Sequence, residues 1–139
     1  VTPEFKRLIG YVTSFASGCL YCQAHTILGA ERFGCTKKRL EEVWNYTNSS
    51  AFSNAEKSAL DFAFAAASVP NKVTKKEVSQ LKNYWNDYDI VEIMGVIALF
   101  GFLNRWNDSM GSALEDLPIE KGEEHLMKNT NWTPGKHRV

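Results

Sequence analysis

Apolar residues along this chain recur at intervals of three and four, and no stretch of strand length alternates apolar with polar residues. That is the pattern of helices that each bury one face. Start and stop signals divide it. Thr2, Pro3 and Glu4 predict a helix running to about Ser17, with threonine as the cap and proline at the first helical position. Ser17 and Gly18 break that helix and are placed to cap a second, which runs to about Phe33 and is closed by Gly34. Thr36 opens a third. Ser53 with Glu56 forms a capping box before "KSALDFAFAAASV", which Pro70 terminates. Thr74 with Glu77 repeats the device, and Asp89 with Glu92 resembles it ahead of a long apolar helix ending near Gly111. The expectation is an all-α single-domain bundle of six or seven helices over residues 1–139, with a C-terminal tail at 128–139. The tail, "KNTNWTPGKHRV", lacks helical periodicity but carries Trp132, which favours an arm docked on this subunit or a neighbour over a free end.

Composition narrows the class. The hydrophobic fraction of 44% and the aromatic fraction of 12% are those of a packed globular domain. Sixteen basic residues balance sixteen acidic ones, so neither nucleic acid nor an anionic membrane surface is an expected partner. The longest apolar run, "IVEIMGVIALFGFL", covers about 14 residues and includes Glu92, which suits a buried helix rather than a membrane span. Three cysteines form no disulfide framework, which predicts a reducing, cytoplasm-like compartment. The chain opens at Val1 without methionine, which predicts that an N-terminal segment precedes it.

The second helix holds the candidate chemistry. At about 100° per residue, Cys19, Cys22, His25, Thr26 and Gly29 share one half of its wheel, and Leu20, Ala24, Ile27 and Leu28 the other. A helix N-terminus stabilises thiolate, and an imidazole one turn beyond Cys22 can take up its proton. Three readings stay open: a redox-active pair, a packed pair of small hydrophobes, and half of a metal site. Zinc is the weakest of the three, because the remaining candidate donors, His125 and His137, lie in tail-like sequence and no second cysteine pair exists. Neither a metal nor a cofactor is expected. Cys35, beyond Gly34, reads as structural.

Three stretches then carry a resemblance: "GCLYCQAHT" at Gly18 to Thr26, "FSNAEKSALDFAFAAASVP" after it, and "FGFLNRWNDSMGSALE" at Phe100 to Glu115. Together they resemble the carboxymuconolactone decarboxylase and alkyl hydroperoxidase D superfamily, in its peroxidase-related branch. The resemblance implies an oligomeric helical fold (dimer, trimer or hexamer) and an antioxidant enzyme that reduces small hydroperoxides. It also implies an external dithiol or thioredoxin-like protein as reductant. Carried over by position, Cys22 is the peroxide-reactive thiol, Cys19 resolves it, and His25 relays protons; the order agrees with sulfenic acid formation followed by condensation with a neighbouring thiol. Two positions depart from the alkyl hydroperoxidase D pattern. The histidine follows the second cysteine by three residues instead of four, and Arg7 stands where that pattern has a glutamate. The acid of the relay is therefore missing unless Glu4 or another residue supplies it, and Arg7 is left either to stabilise thiolate directly or to mark a slow peroxidase. A non-enzymatic oligomer with a structural, metal-binding or sensing pair is the rival reading, and lactone decarboxylation ranks below both.

A second constellation lies on the long helix. A stripe through Ile90, Met94, Ile97 and Gly101 continues into Asn104 and Asp108. Polar groups on a core-facing stripe need partners. They either line the pocket beside the cysteines or, the favoured expectation, tie the helix end to a loop. Trp85 and Trp106 are expected in core or interface.

Overall fold

The computed structural model describes residues 1–139 and contains seven α-helices, two 3-10 turns and no strand. In chain order they are α1 (Pro3–Ser17), α2 (Leu20–Arg32), α3 (Lys37–Glu42), α4 (Asn54–Ala67), α5 (Lys75–Tyr84), α6 (Asp87–Met110) and α7 (Asp116–His125). The 3-10 turns are Val43–Asn48 and Gly135–His137. The capping chemistry explains most of these boundaries. Thr2 Oγ1 accepts the Phe5 N–H at 3.1 Å, and full capping boxes form at Ser53/Glu56 and Thr74/Glu77. Caps of this kind stabilise a helix by about 1 kcal/mol each.

Two expected caps fall elsewhere. α6 is capped by Asn86, whose Oδ1 accepts the Asp89 N–H at 2.8 Å, so the Asp89/Glu92 pair lies inside the helix and Glu92 meets Lys6 instead. α2 is capped by Cys19, not by Ser17 or Gly18. Gly18 is committed to the preceding helix: at φ 76° it takes the left-handed conformation that closes α1, and its N–H reaches the Phe15 and Ser14 carbonyls. Cys19 is left as the one extended residue ahead of Leu20.

α1 lies at the centre, packed on α2, α4 and α6, and buries Phe5, Leu8, Ile9 and Val12. α6 crosses it with a buried stripe of Ile93, Ile97, Phe100 and Asn104. That stripe differs from the expected one: Met94 is exposed, and Ile90 and Gly101 are only partly covered. α6 is apolar on more than one face, so periodicity alone leaves its phase undefined. Its other face exposes Val91, Leu99, Phe102, Trp106 and Met110. Trp106 is thus outside the core, whereas Trp85 stacks on Phe5 and donates its indole N–H to the Ala55 carbonyl at 2.9 Å.

The tail is folded back. Trp132, 2% exposed, lies against Gly122 of α7 and donates its indole N–H to the Leu20 carbonyl at 3.0 Å. His137 is buried, and its carbonyl accepts the Leu114 N–H at 2.8 Å. The C-terminus is thereby fastened to the start of the cysteine helix.

Candidate active site

The turn that ends α1 delivers Cys19 to the N-terminus of α2, and Cys22 follows within the first helical turn. Cys19 Sγ accepts the Cys22 N–H at 3.2 Å, as a serine would at this position. Both thiols are free. Cys19 is fully buried, while Cys22, although only 3% exposed, lines a cavity of about 520 Å3 between α1, α2 and α6. Arg7, His25, Gly29 and Arg32 line it too, with apolar walls from Phe33, Leu99 and Leu103.

Electrostatics separates the two thiols. Cys22 is held below the ordinary thiol range, chiefly by the Cys19 S–H and then, against the opposing effect of burial, by the Asn104 and Asn107 side chains. Cys19 is pushed far above that range by the same hydrogen bond and by burial. The backbone N–H on Cys19 Sγ favours the opposite order, but Cys22 has two side-chain amides and the opening to the cavity. The amides are themselves oriented. Asn104 Nδ2 donates to Ser14 Oγ at 2.9 Å, and Asn107 Oδ1 accepts from Ser112 Oγ at 2.8 Å, which leaves its NH2 group to donate to Cys22.

His25 lies one helical turn from Cys22, stacked on Tyr21 with ring centroids 4.5 Å apart. Burial lowers its pKa and the Glu115 carboxylate works against that shift. Glu115 Oε2 lies 3.2 Å from His25 Nε2, too poorly aligned for a hydrogen bond. A lowered imidazole is neutral at pH 7 and so able to take a proton.

Of the residues singled out from the sequence, Cys22, His25 and Arg7 line the cavity, Cys19 lies behind Cys22, and Asn104 packs against the pair. The loop-tying role expected of the Asn104/Asp108 pair holds for one member only. Asp108 lies 3.4 Å from both His137 Nε2 and Lys136 Nζ, fixing the tail. Glu4 is not available as the missing acid, because Arg39 clamps it together with Glu56. The acid beside His25 is Glu115, which sequence reasoning missed along with Asn107 and Tyr21. Glu115 closes the third family-like stretch, but no local spacing ties it to α2. His125 joins Glu31 at 2.8 Å and Glu124 at 3.7 Å in a cluster that contains no cysteine. The Lys121 ammonium, 2.9 Å from Glu31 and 3.1 Å from Glu124, already neutralises those carboxylates.

The chain is thus an all-helical bundle with a Cys-X-X-Cys pair at a buried helix start and a histidine one turn on. The family model for the carboxymuconolactone decarboxylase family matches residues 1–65. Among solved structures, the apo debrominase Bmp8 is 33% identical with a TM-score of 0.86, covering 89% of this chain and 67% of that one. A cysteine-to-alanine variant of Bmp8 in complex with 2,3,4-tribromopyrrole is 32% identical, also at 0.86, covering 89% and 66%. A protein of unknown function from Agrobacterium tumefaciens, described as a candidate antioxidant defence protein AhpD, is 19% identical with a TM-score of 0.69, covering 78% and 75%; it supports the fold alone. No curated protein sequence matches the chain. The chain belongs to the carboxymuconolactone decarboxylase family, and spans about two thirds of the length of the Bmp8 chains.

Proposed function

We propose that the protein is a thiol-dependent reductase that passes two electrons from the Cys19/Cys22 pair to a small organic electrophile, with hydroperoxides as the principal substrates. The observation that carries this reading is the asymmetry of the pair: a favoured thiolate at Cys22 on the cavity wall, backed by a fully buried, protonated thiol at Cys19 behind it. The Cys22 thiolate attacks the terminal oxygen of ROOH, giving Cys22 sulfenic acid and an alkoxide that takes a proton to leave as ROH. Cys19 then displaces the sulfenic oxygen as water, forming the Cys19–Cys22 disulfide, and an external dithiol returns both thiols. Neutral His25 accepts the Cys22 proton and passes it to the leaving oxygen, with Glu115 opposite to stabilise the imidazolium.

Steady-state hydroperoxide consumption with dithiothreitol tests the assignment. The wild type turns over continuously and Cys22→Ser does not; consumption by Cys22→Ser at the wild-type rate sinks it. The 33% identity to a debrominase favours a second reading for the same pair, in which an aryl C–Br bond becomes C–H with release of bromide and disulfide formation. Bromide release from 2,3,4-tribromopyrrole under dithiol separates the two.

We further infer that the protein works as a homo-oligomer, a reading supported by the apolar face of Leu99, Phe102, Trp106 and Met110 along α6. No helix is long and apolar enough to cross a membrane.

A further inference from the structure

The cavity that holds Cys22 also holds two arginines for which the chemistry above has no use. Arg7 of α1 and Arg32 at the end of α2 both line it, and neither makes an ion pair or a side-chain hydrogen bond within the molecule. Arg39, in contrast, is clamped by Glu4 and Glu56. Arg7 is positioned: its guanidinium lies 5.6 Å above the Phe33 ring, and its stem occupies the space beside Gly29, where an added Cβ would meet Arg7 Cδ at 3.1 Å. Arg32 is close enough to His25 to act on its charge. Arg7 is not among the groups that favour the Cys22 thiolate, which are Cys19, Asn104 and Asn107.

Two guanidinium groups without internal counter-charge, on a pocket whose apolar walls are Phe33, Leu99, Phe100 and Leu103, match a ligand with an apolar body and an anionic end. A volume of about 520 Å3 accommodates an organic molecule well beyond hydrogen peroxide. The planar fork of arginine donates two parallel hydrogen bonds to a carboxylate.

We infer that the substrate is an organic acid, an electrophile whose carboxylate is held by Arg7 and Arg32 while its apolar body lies between α2 and α6 and presents the reacting atom to Cys22. This rests on the reductase reading for the reacting atom, but the binding of the anion can be measured without turnover.

Calorimetric titration of the reduced protein with 2-naphthoate and its neutral isostere 2-naphthamide is the direct test. The wild type should bind the acid about tenfold or more tightly than the amide, as charge-assisted hydrogen bonds require. The ratio should fall toward one in Arg7→Met/Arg32→Met, a change that keeps the apolar stems. Equal binding of acid and amide by the wild type, or a ratio that survives in the double variant, overturns the inference. Turnover gives a second readout. The KM ratio of cumene hydroperoxide to its 4-carboxy derivative should collapse in the double variant, with kcat for the acid changing far less than its KM. If neither hydroperoxide is consumed by the wild type, the reductase reading fails while the naphthoate ratio still decides the anion site. If Arg7→Met instead raises the pH at which Cys22 becomes alkylated and leaves the naphthoate preference intact, Arg7 serves the thiolate and the inference is wrong.

Discussion

Two pairs of side chains set the protonation of the site. Burial lowers the His25 pKa and Glu115 partly restores it, so removing that carboxylate leaves burial unopposed. Glu115→Gln should therefore move the His25 imidazole titration, followed by NMR, to lower pH; an unchanged or raised midpoint contradicts the assignment of Glu115 as its acid. Asn104 and Asn107 act on Cys22 in the same direction as Cys19 does. In Asn104→Leu one of those donors is gone, so the inflection of Cys22 alkylation against pH should shift upward, by less than in Cys19→Ala, which removes the S–H donor. Equal inflections in Asn104→Leu and the wild type would remove the amide from the account. Asn104 was legible in the sequence as a polar residue on a helix with an otherwise apolar stripe. Glu115 was not, because it lies in the turn between α6 and α7, and its approach to α2 depends on the tail, whose His137 carbonyl holds the neighbouring Leu114 N–H.

At the scale of elements, the caps account for how much could be read beforehand. Ser53/Glu56 and Thr74/Glu77 are local, complete within four residues, and form as the sequence predicts. The start of α2 was misplaced for an instructive reason: Ser17 is a far commoner cap than cysteine, but Gly18 closes α1 and leaves Cys19 to do it. The phase of α6 is not defined by periodicity, because both of its faces are apolar. The Arg39 clamp could not be foreseen, since it joins Glu4 in the first turn of α1 to Glu56 in α4 through an arginine whose side chain is only 16% exposed. Removing one partner of such a pair strands the others. Arg39→Ala should lower stability by about 3 kcal/mol in urea unfolding, whereas a loss below about 1 kcal/mol would place the clamp among surface ion pairs.

At the scale of the whole molecule, the C-terminal tail is fastened to the start of the cysteine helix. Trp132 of the tail lies on Gly122 and bonds to Leu20, the residue that follows Cys19. Trp132→Ala should cost about 3 kcal/mol of stability and raise the rate at which Cys19 is alkylated; a variant that loses neither leaves the tail without a structural role. The exposed face of α6 is the other large-scale feature. Sedimentation should give a species larger than one chain, and Phe102→Glu/Trp106→Glu should shift it toward the monomer; a monomeric wild type counts against the oligomer. Above these stands the division of labour between the two thiols. Mass spectrometry after a stoichiometric dose of cumene hydroperoxide tests it most directly. The account predicts a Cys19–Cys22 disulfide in the wild type and, in Cys19→Ser, a dimedone adduct on Cys22. A dimedone adduct on Cys19 in Cys22→Ser, formed at the wild-type rate of oxidation, would contradict it.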